Sequence, residues 1–222
     1  MADFARYLPL SQRSGFDERG VTSDRREPTA TVLRAIAQAL RAAGDDGWSI
    51  PSGERRPAVP SAVAALIAGF DRAPARRAFE TAQHALGMSP READADLTVE
   101  GPADAAAALD ARAVTISERP QPTRLVELDD AVVAAVRIGD ALGTQIRVPP
   151  LASGAVALRR AAAAPTPIRA VISGHSLHAT DAGWTIGHGP ALVGTAEELI
   201  RFLAGIGDRA PRSARRGEVG DA

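Results

Sequence analysis

Apolar positions recur along this chain with two different periods, and the change of period divides it. In the first two thirds they fall at helical spacing. Val32, Leu33, Ile36, Ala37 and Leu40 make one face of a helix expected over residues 29–43, stopped at Asp45-Asp46-Gly47. Pro60-Ser61 opens a short second helix with Val63, Leu66, Ile67 and Phe70 inward. A third is expected over residues 74–86, with Phe79, Ala82 and Leu86 on its core face. Residues 103–111 are helical by alanine content, whereas 97–99 and 114–116 are strand-like. After a break at residues 118–122, the longest helix is expected over 123–142, striped by Leu125, Leu128, Val132, Val136 and Leu142.

Pro149-Pro150 marks a domain boundary, followed by a short helix over residues 153–164. From there the period shortens. Ile168, Ala170 and Ile172 alternate with polar or outward positions, as in a half-buried strand. Ser173-Gly174 turns the chain, Leu177 and Ala179 begin a second run, and Asp181-Ala182-Gly183 turns it again into Trp184 and Ile186. Thr195 and Glu198 form a capping box, and Leu199, Phe202, Leu203 and Ile206 follow as one apolar stripe ended by Gly205 and Gly207. The fold expected is α+β: an N-terminal helical bundle, then a small C-terminal α/β domain with an antiparallel sheet covered by helices. Residues 1–28 read as a flexible lead-in, 29–148 as the bundle, 149–207 as the sheet-and-helix domain and 208–222 as a disordered tail.

Composition narrows the chemistry. With 222 residues, 45% apolar content and net charge −1, the chain suits a soluble protein with no electrostatic case for nucleic acid or an anionic membrane. No apolar run approaches the roughly 20 residues of a membrane span, and no secretory leader is evident, so a cytoplasmic protein is expected. All 26 basic residues are arginine, which together with the alanine content fits a GC-rich genome. The absence of cysteine removes disulfides, thiolate metal sites and a cysteine nucleophile.

The residues 178–190, His-Ala-Thr-Asp-Ala-Gly-Trp-Thr-Ile-Gly-His-Gly-Pro, followed by Val193-Gly194-Thr195-Ala196, Glu198-Leu199 and Leu203-Ala204-Gly205, resemble the C-terminal domain of the actinobacterial mycothiol-dependent maleylpyruvate isomerase family. That resemblance implies a DinB-like four-helix bundle carrying a metal, followed by a sterol-carrier-like domain. It further implies a divalent metal and mycothiol as cofactors, the metal holding the thiol as a thiolate that adds to a maleyl double bond.

Matched residue by residue, the family's metal ligands are largely absent. Gly47-Trp48-Ser49-Ile50 is similar to the motif opening its second helix, yet the later histidine gives way to arginine within Pro51-Ser52-Gly53-Glu54-Arg55-Arg56-Pro57. Arg77, Glu80 and His84 look like its Arg-x-x-Glu-x-x-x-His helix. Glu80 and His84, one turn apart, are a candidate metal pair and equally an ordinary i,i+4 ion pair. The helix over 123–142 keeps Glu127 and a later acid, Asp140, but Ala131 stands where the family has histidine. Gly205-Ile206 replaces a closing Gly-Arg.

The metal candidates are therefore Glu80, His84 and Glu127. Ligand-pocket candidates are Trp48, His178, Trp184 and His188, with His178 and His188 expected on neighbouring strands and able to face each other. No catalytic residue is assigned. The leading expectation is a maleylpyruvate isomerase-like protein with a degenerate metal site, binding a small molecule or acting as an accessory protein. The alternatives are an active metal- and mycothiol-dependent isomerase or thiol transferase, and a homodimeric interaction module joined through alanine-rich helices.

Overall fold

The computed structural model describes residues 24–50, 58–71, 100–207 and 209–214. Within them lie seven helices: α1 Arg26–Trp48, α2 Val59–Asp71, α3 Pro102–Glu118, α4 Leu125–Leu142, α5 Pro150–Ala162, α6 Thr166–Ile172 and α7 Ala196–Leu203. Four short strands complete the described chain: β1 Ser176–Ala179, β2 Thr185–Gly187, β3 Ala191–Gly194 and β4 Arg212–Ser213. The protein is α+β and rich in helix, as expected. The helix expected over residues 74–86, with Glu80 and His84, lies outside the described residues, as do the strand-like residues 97–99.

Helix α4 is the centre of the molecule. Its sequence is apolar on nearly every side, and twelve of its 18 residues are buried. Helices α1, α2, α5 and α7 all pack against it. Helix α1 offers Val32, Leu33, Ile36, Ala37 and Leu40, all buried as their spacing predicts. It does not stop at Asp45. The chain kinks at Gly44, whose φ of 58° costs a glycine nothing, and continues as helix to Trp48. A Cβ on Gly47 would stand 2.4 Å from the Ala43 Cβ across the kink and 3.1 Å from the Leu142 side chain, so glycine there lets the chain double back at Gly44 and the end of α1 close on the end of α4.

Helix α3 absorbs the strand-like residues 114–116. Ala105, Ala106, Leu109, Ala113 and Ile116 are all buried, and that helical period overrides the strand preference of Val114-Thr115-Ile116. The alanine face lets α1 lie along α3 in the most extensive helix contact of the described chain.

A buried carboxylate joins α4 to α5. Asp129, with 4% of its side chain exposed, receives Arg160 through Nε at 2.6 Å and Nη2 at 2.9 Å. Arg159 adds Nη1 at 3.0 Å. Buried apolar residues of every helix but α6, together with the sheet, form one contiguous core across this junction.

The C-terminal unit departs from expectation in three places. The run Ile168 to Ile172 is the helix α6, not a strand. Pro167 sits in its first turn with its φ already set for helix, and Ile168 and Ile172, four apart, pack on the core together. Second, the sheet is mixed rather than antiparallel, in the order β2-β1-β3-β4. Strands β1 and β2 form the expected hairpin, but β3 runs parallel to β1. The chain leaves β2 and crosses the start of β1 through Gly187 and Gly189, at φ 90° and 100°. A Cβ at these positions would lie 2.7 Å from the His175 carbonyl and 2.2 Å from that of Gly174, so only glycine passes. The Ser176 amide donates to Pro190 O and its hydroxyl to Gly189 O, pinning the crossing. Third, Arg212 and Ser213, within the tail expected to be disordered, pair with Val193 and Leu192 as the edge strand β4.

Helix α7 covers this sheet as its stripe predicts, burying Leu199, Ile200, Phe202 and Leu203. Its capping box is complete. Thr195 Oγ1 accepts from the Glu198 amide at 3.2 Å, and Glu198 Oε2 accepts from the Thr195 amide at 2.8 Å. Asp181, which opens the hairpin turn, also accepts from the Ala196 amide at 2.7 Å. Replacing Thr195 with Ala removes one cap acceptor and should cost about 1 kcal/mol in urea unfolding, consistent with other N-cap deletions. No measurable loss would mean that Asp181 alone holds the helix start.

Candidate functional site

The two ends of α4 show what became of its acidic residues. Glu127 is nearly buried in the first turn, and Arg119 donates to its Oε2 at 3.1 Å. Arg119 is itself anchored, because its carbonyl accepts from the Arg26 guanidinium. Arg26 in turn holds Asp24 at 2.7 Å. The Asp24 carboxyl sits below the usual carboxylate range chiefly because the Arg26 amide donates to it. Burial pushes the other way and the Arg26 side chain adds to the lowering. At the far end, Asp140 and Glu197 share Arg201, each at 2.6 Å. Burial alone disfavours the Arg201 charge, but the bonds to Glu197 and Asp140 outweigh it and raise its pKa. Ala131, one turn beyond Glu127, is fully buried among apolar neighbours.

The four ligand-pocket candidates are not gathered. Trp48 ends α1, half-buried on the core. Trp184 lies across Gly154 of α5, with its indole N–H donating to Ser153 Oγ at 3.0 Å. Its role is to seat the hairpin on α5. His178 pairs across the hairpin with Thr185, and its Nδ1 lies 2.9 Å from the Thr185 hydroxyl. His188 is exposed beyond Gly187, which is level with Ser176. The expected facing of His178 and His188 therefore fails, because the register places Thr185 and not His188 opposite His178. Among the described residues, no group of three or more His, Asp or Glu side chains could hold a metal ion.

A different concavity emerges between α1 and the segment that leaves α4. It encloses about 420 Å³, within the size range of small-molecule clefts. One wall is a row of methyl groups, Ala35, Ala39, Ala42 and Ala43, on the side of α1 next to its core face. Leu142 and Ile146 complete the apolar surface. The polar groups are Gln38 from α1 with Thr144, Gln145 and Arg147 from the segment opposite.

That segment is built rather than loose. Helix α4 ends with Gly143 at φ 66°, the Gly143 amide donating to Asp140 O and the Thr144 amide to Gly139 O. This reversal satisfies two terminal carbonyls and turns the chain back on the helix. Ile146 is thereby tucked in at 8% exposure, which leaves Arg147 beside the groove. Gly139 makes the fold-back feasible, since a Cβ there would lie 2.7 Å from the Thr144 carbonyl. Among the described residues, Arg147 is the single charged one lining the groove, and it has no carboxylate partner there. None of these residues stood out as a candidate in the sequence. The signal was present in the alanines at 35, 39 and 42, one helical face apart, and in the glycines at 139 and 143.

Compared with family models, curated proteins and solved structures, the chain matches none. No helix of the described residues is long and apolar enough to cross a membrane.

The groove depends on Gly139, so Gly139→Ala should destabilise the protein by about 2 kcal/mol through overpacking against the returning backbone, despite alanine's better helix propensity. A thermal melt checks this. A raised Tm would mean that the segment can move aside freely.

Proposed function

We propose that this chain is a maleylpyruvate isomerase-like protein, with a DinB-type bundle and a sterol-carrier-like C-terminal domain, whose metal site is degenerate. It works as a small-molecule binding or accessory protein. The order of its parts supports this: packed helices first, then a small sheet covered by a capped helix. The observation that carries the degenerate site is the state of α4, in the place of the helix that would bring ligands to the metal. Glu127 is engaged by Arg119, Asp140 by Arg201, and Ala131 has no donor atom. A divalent cation needs carboxylate oxygens or imidazole nitrogens converging on one point. These three residues do not fit it, because both carboxylates already face a guanidinium.

What supports small-molecule binding is the groove beside α1, a largely apolar trough with a few polar groups, most of them on the segment after α4. A ligand there would need no metal. Protein purified in buffer containing zinc and nickel, then freed of unbound ions, should contain well under one metal ion per chain by elemental analysis. One ion per chain would contradict the degenerate site and favour an active metal-dependent enzyme.

A further inference from the structure

We propose that the groove between α1 and residues 143–147 binds a small amphiphilic carboxylate. Its apolar body lies along the alanine wall and its carboxylate meets Arg147. This rests on the reading of the protein as a small-molecule binder and names the class of ligand.

Three features point to that class. The wall is made of methyl groups, which exclude water without filling the space, so a flexible apolar chain gains contact along the whole trough. Three of the four polar groups, Arg147 among them, come from the segment after α4, facing the alanines across the trough, and the fourth, Gln38, stands among the alanines on α1. A ligand that satisfies both must be apolar over most of its length and polar at one end.

The sign of that end follows from Arg147. Several other arginines of the described residues are committed: Arg159 and Arg160 to Asp129, Arg201 to Asp140 and Glu197. Arg147 has no such partner among the described residues, and Gln38, Thr144 and Gln145 around it are neutral. A guanidinium presents a planar pair of N–H donors that matches a carboxylate. One cation accompanied by two neutral amides and a hydroxyl balances one negative charge, which suits a carboxylate better than a phosphate dianion. The geometry of the segment is set by Gly139, Gly143 and the buried Ile146, so the guanidinium stem starts from a fixed backbone.

The test uses the full chain with ¹³C-labelled isoleucine methyls, titrated separately with octanoate and octan-1-ol, which differ in the charged end. Ile146 lines the groove and Ile186 lies in β2, so the first reports binding and the second reports an intact fold. Octanoate should shift the Ile146 methyl saturably and bind more tightly than octanol. Arg147→Gln should weaken octanoate about tenfold, as expected for loss of a charge-assisted contact, and leave octanol unchanged. Ala42→Leu, on an exposed position of the wall, should weaken both probes while Ile186 keeps its native shift. Octanol binding as tightly as octanoate, or octanoate indifferent to Arg147→Gln, overturns the carboxylate class but leaves small-molecule binding in place. No saturable shift with either probe overturns the groove as a ligand site altogether.

Discussion

The structure turns on one carboxylate kept out of water. Asp129 lies on the central helix with 4% of its side chain exposed, and a lone charge there would be prohibitive. Two arginines from α5 make it tolerable, one of them gripping both oxygens. The consequence is positional. Helix α5 can dock only where Arg159 and Arg160 reach Asp129, and α5 in turn carries Ser153 and Gly154, against which Trp184 seats the hairpin. Helix α7 packs on α5 and, through Arg201, ties back to α4 at Asp140. The helical half and the sheet are thus joined at both ends of α4 by charge and between them by a continuous apolar core.

Much of this was legible in the residue pattern, and the exceptions share a physical cause. Helix α4, the core face of α1 and the capped helix α7 could be read directly, because long apolar periods and cap residues act locally. Helix α6 could not, because five residues with Ile at both ends satisfy strand alternation and an i,i+4 pair equally, and the preceding proline decided the matter. Val114-Thr115-Ile116 has strand preference in isolation and lost to the buried period of the whole helix. The direction of β3 depends on two glycines passing within van der Waals distance of the residues before β1, a tertiary fact that periodicity does not carry. The same crossing displaces His188 from His178.

The candidate site was the least legible part. Sequence reasoning followed donors: histidines, acids and tryptophans. The structure commits several of them, with Trp184 and His178 holding the hairpin and Glu127 and Asp140 holding arginines. The space that remains is defined instead by what side chains lack. Alanines hollow the flank of α1, and a glycine at 139 lets the chain fold back to roof the hollow with Ile146 and Arg147. The alanine spacing on α1 and the glycines at 139 and 143 are visible in the sequence, but small residues do not say what they leave room for, so the groove takes shape only when the helices are set side by side.

The clamp at Asp129 is the point at which the account is most exposed, and a double-mutant cycle with Arg160 measures it directly. Unfolding free energies would be compared for the parent, Asp129→Ala, Arg160→Ala and the double variant. Removing Asp129 alone should cost about 3 kcal/mol, because two guanidinium groups lose their buried partner. The coupling between the two sites should be about 2 kcal/mol, near the upper range for residues in direct contact. A coupling near zero, with the single variants simply adding, would mean that α5 finds its place without the clamp, and would contradict the central role assigned to it.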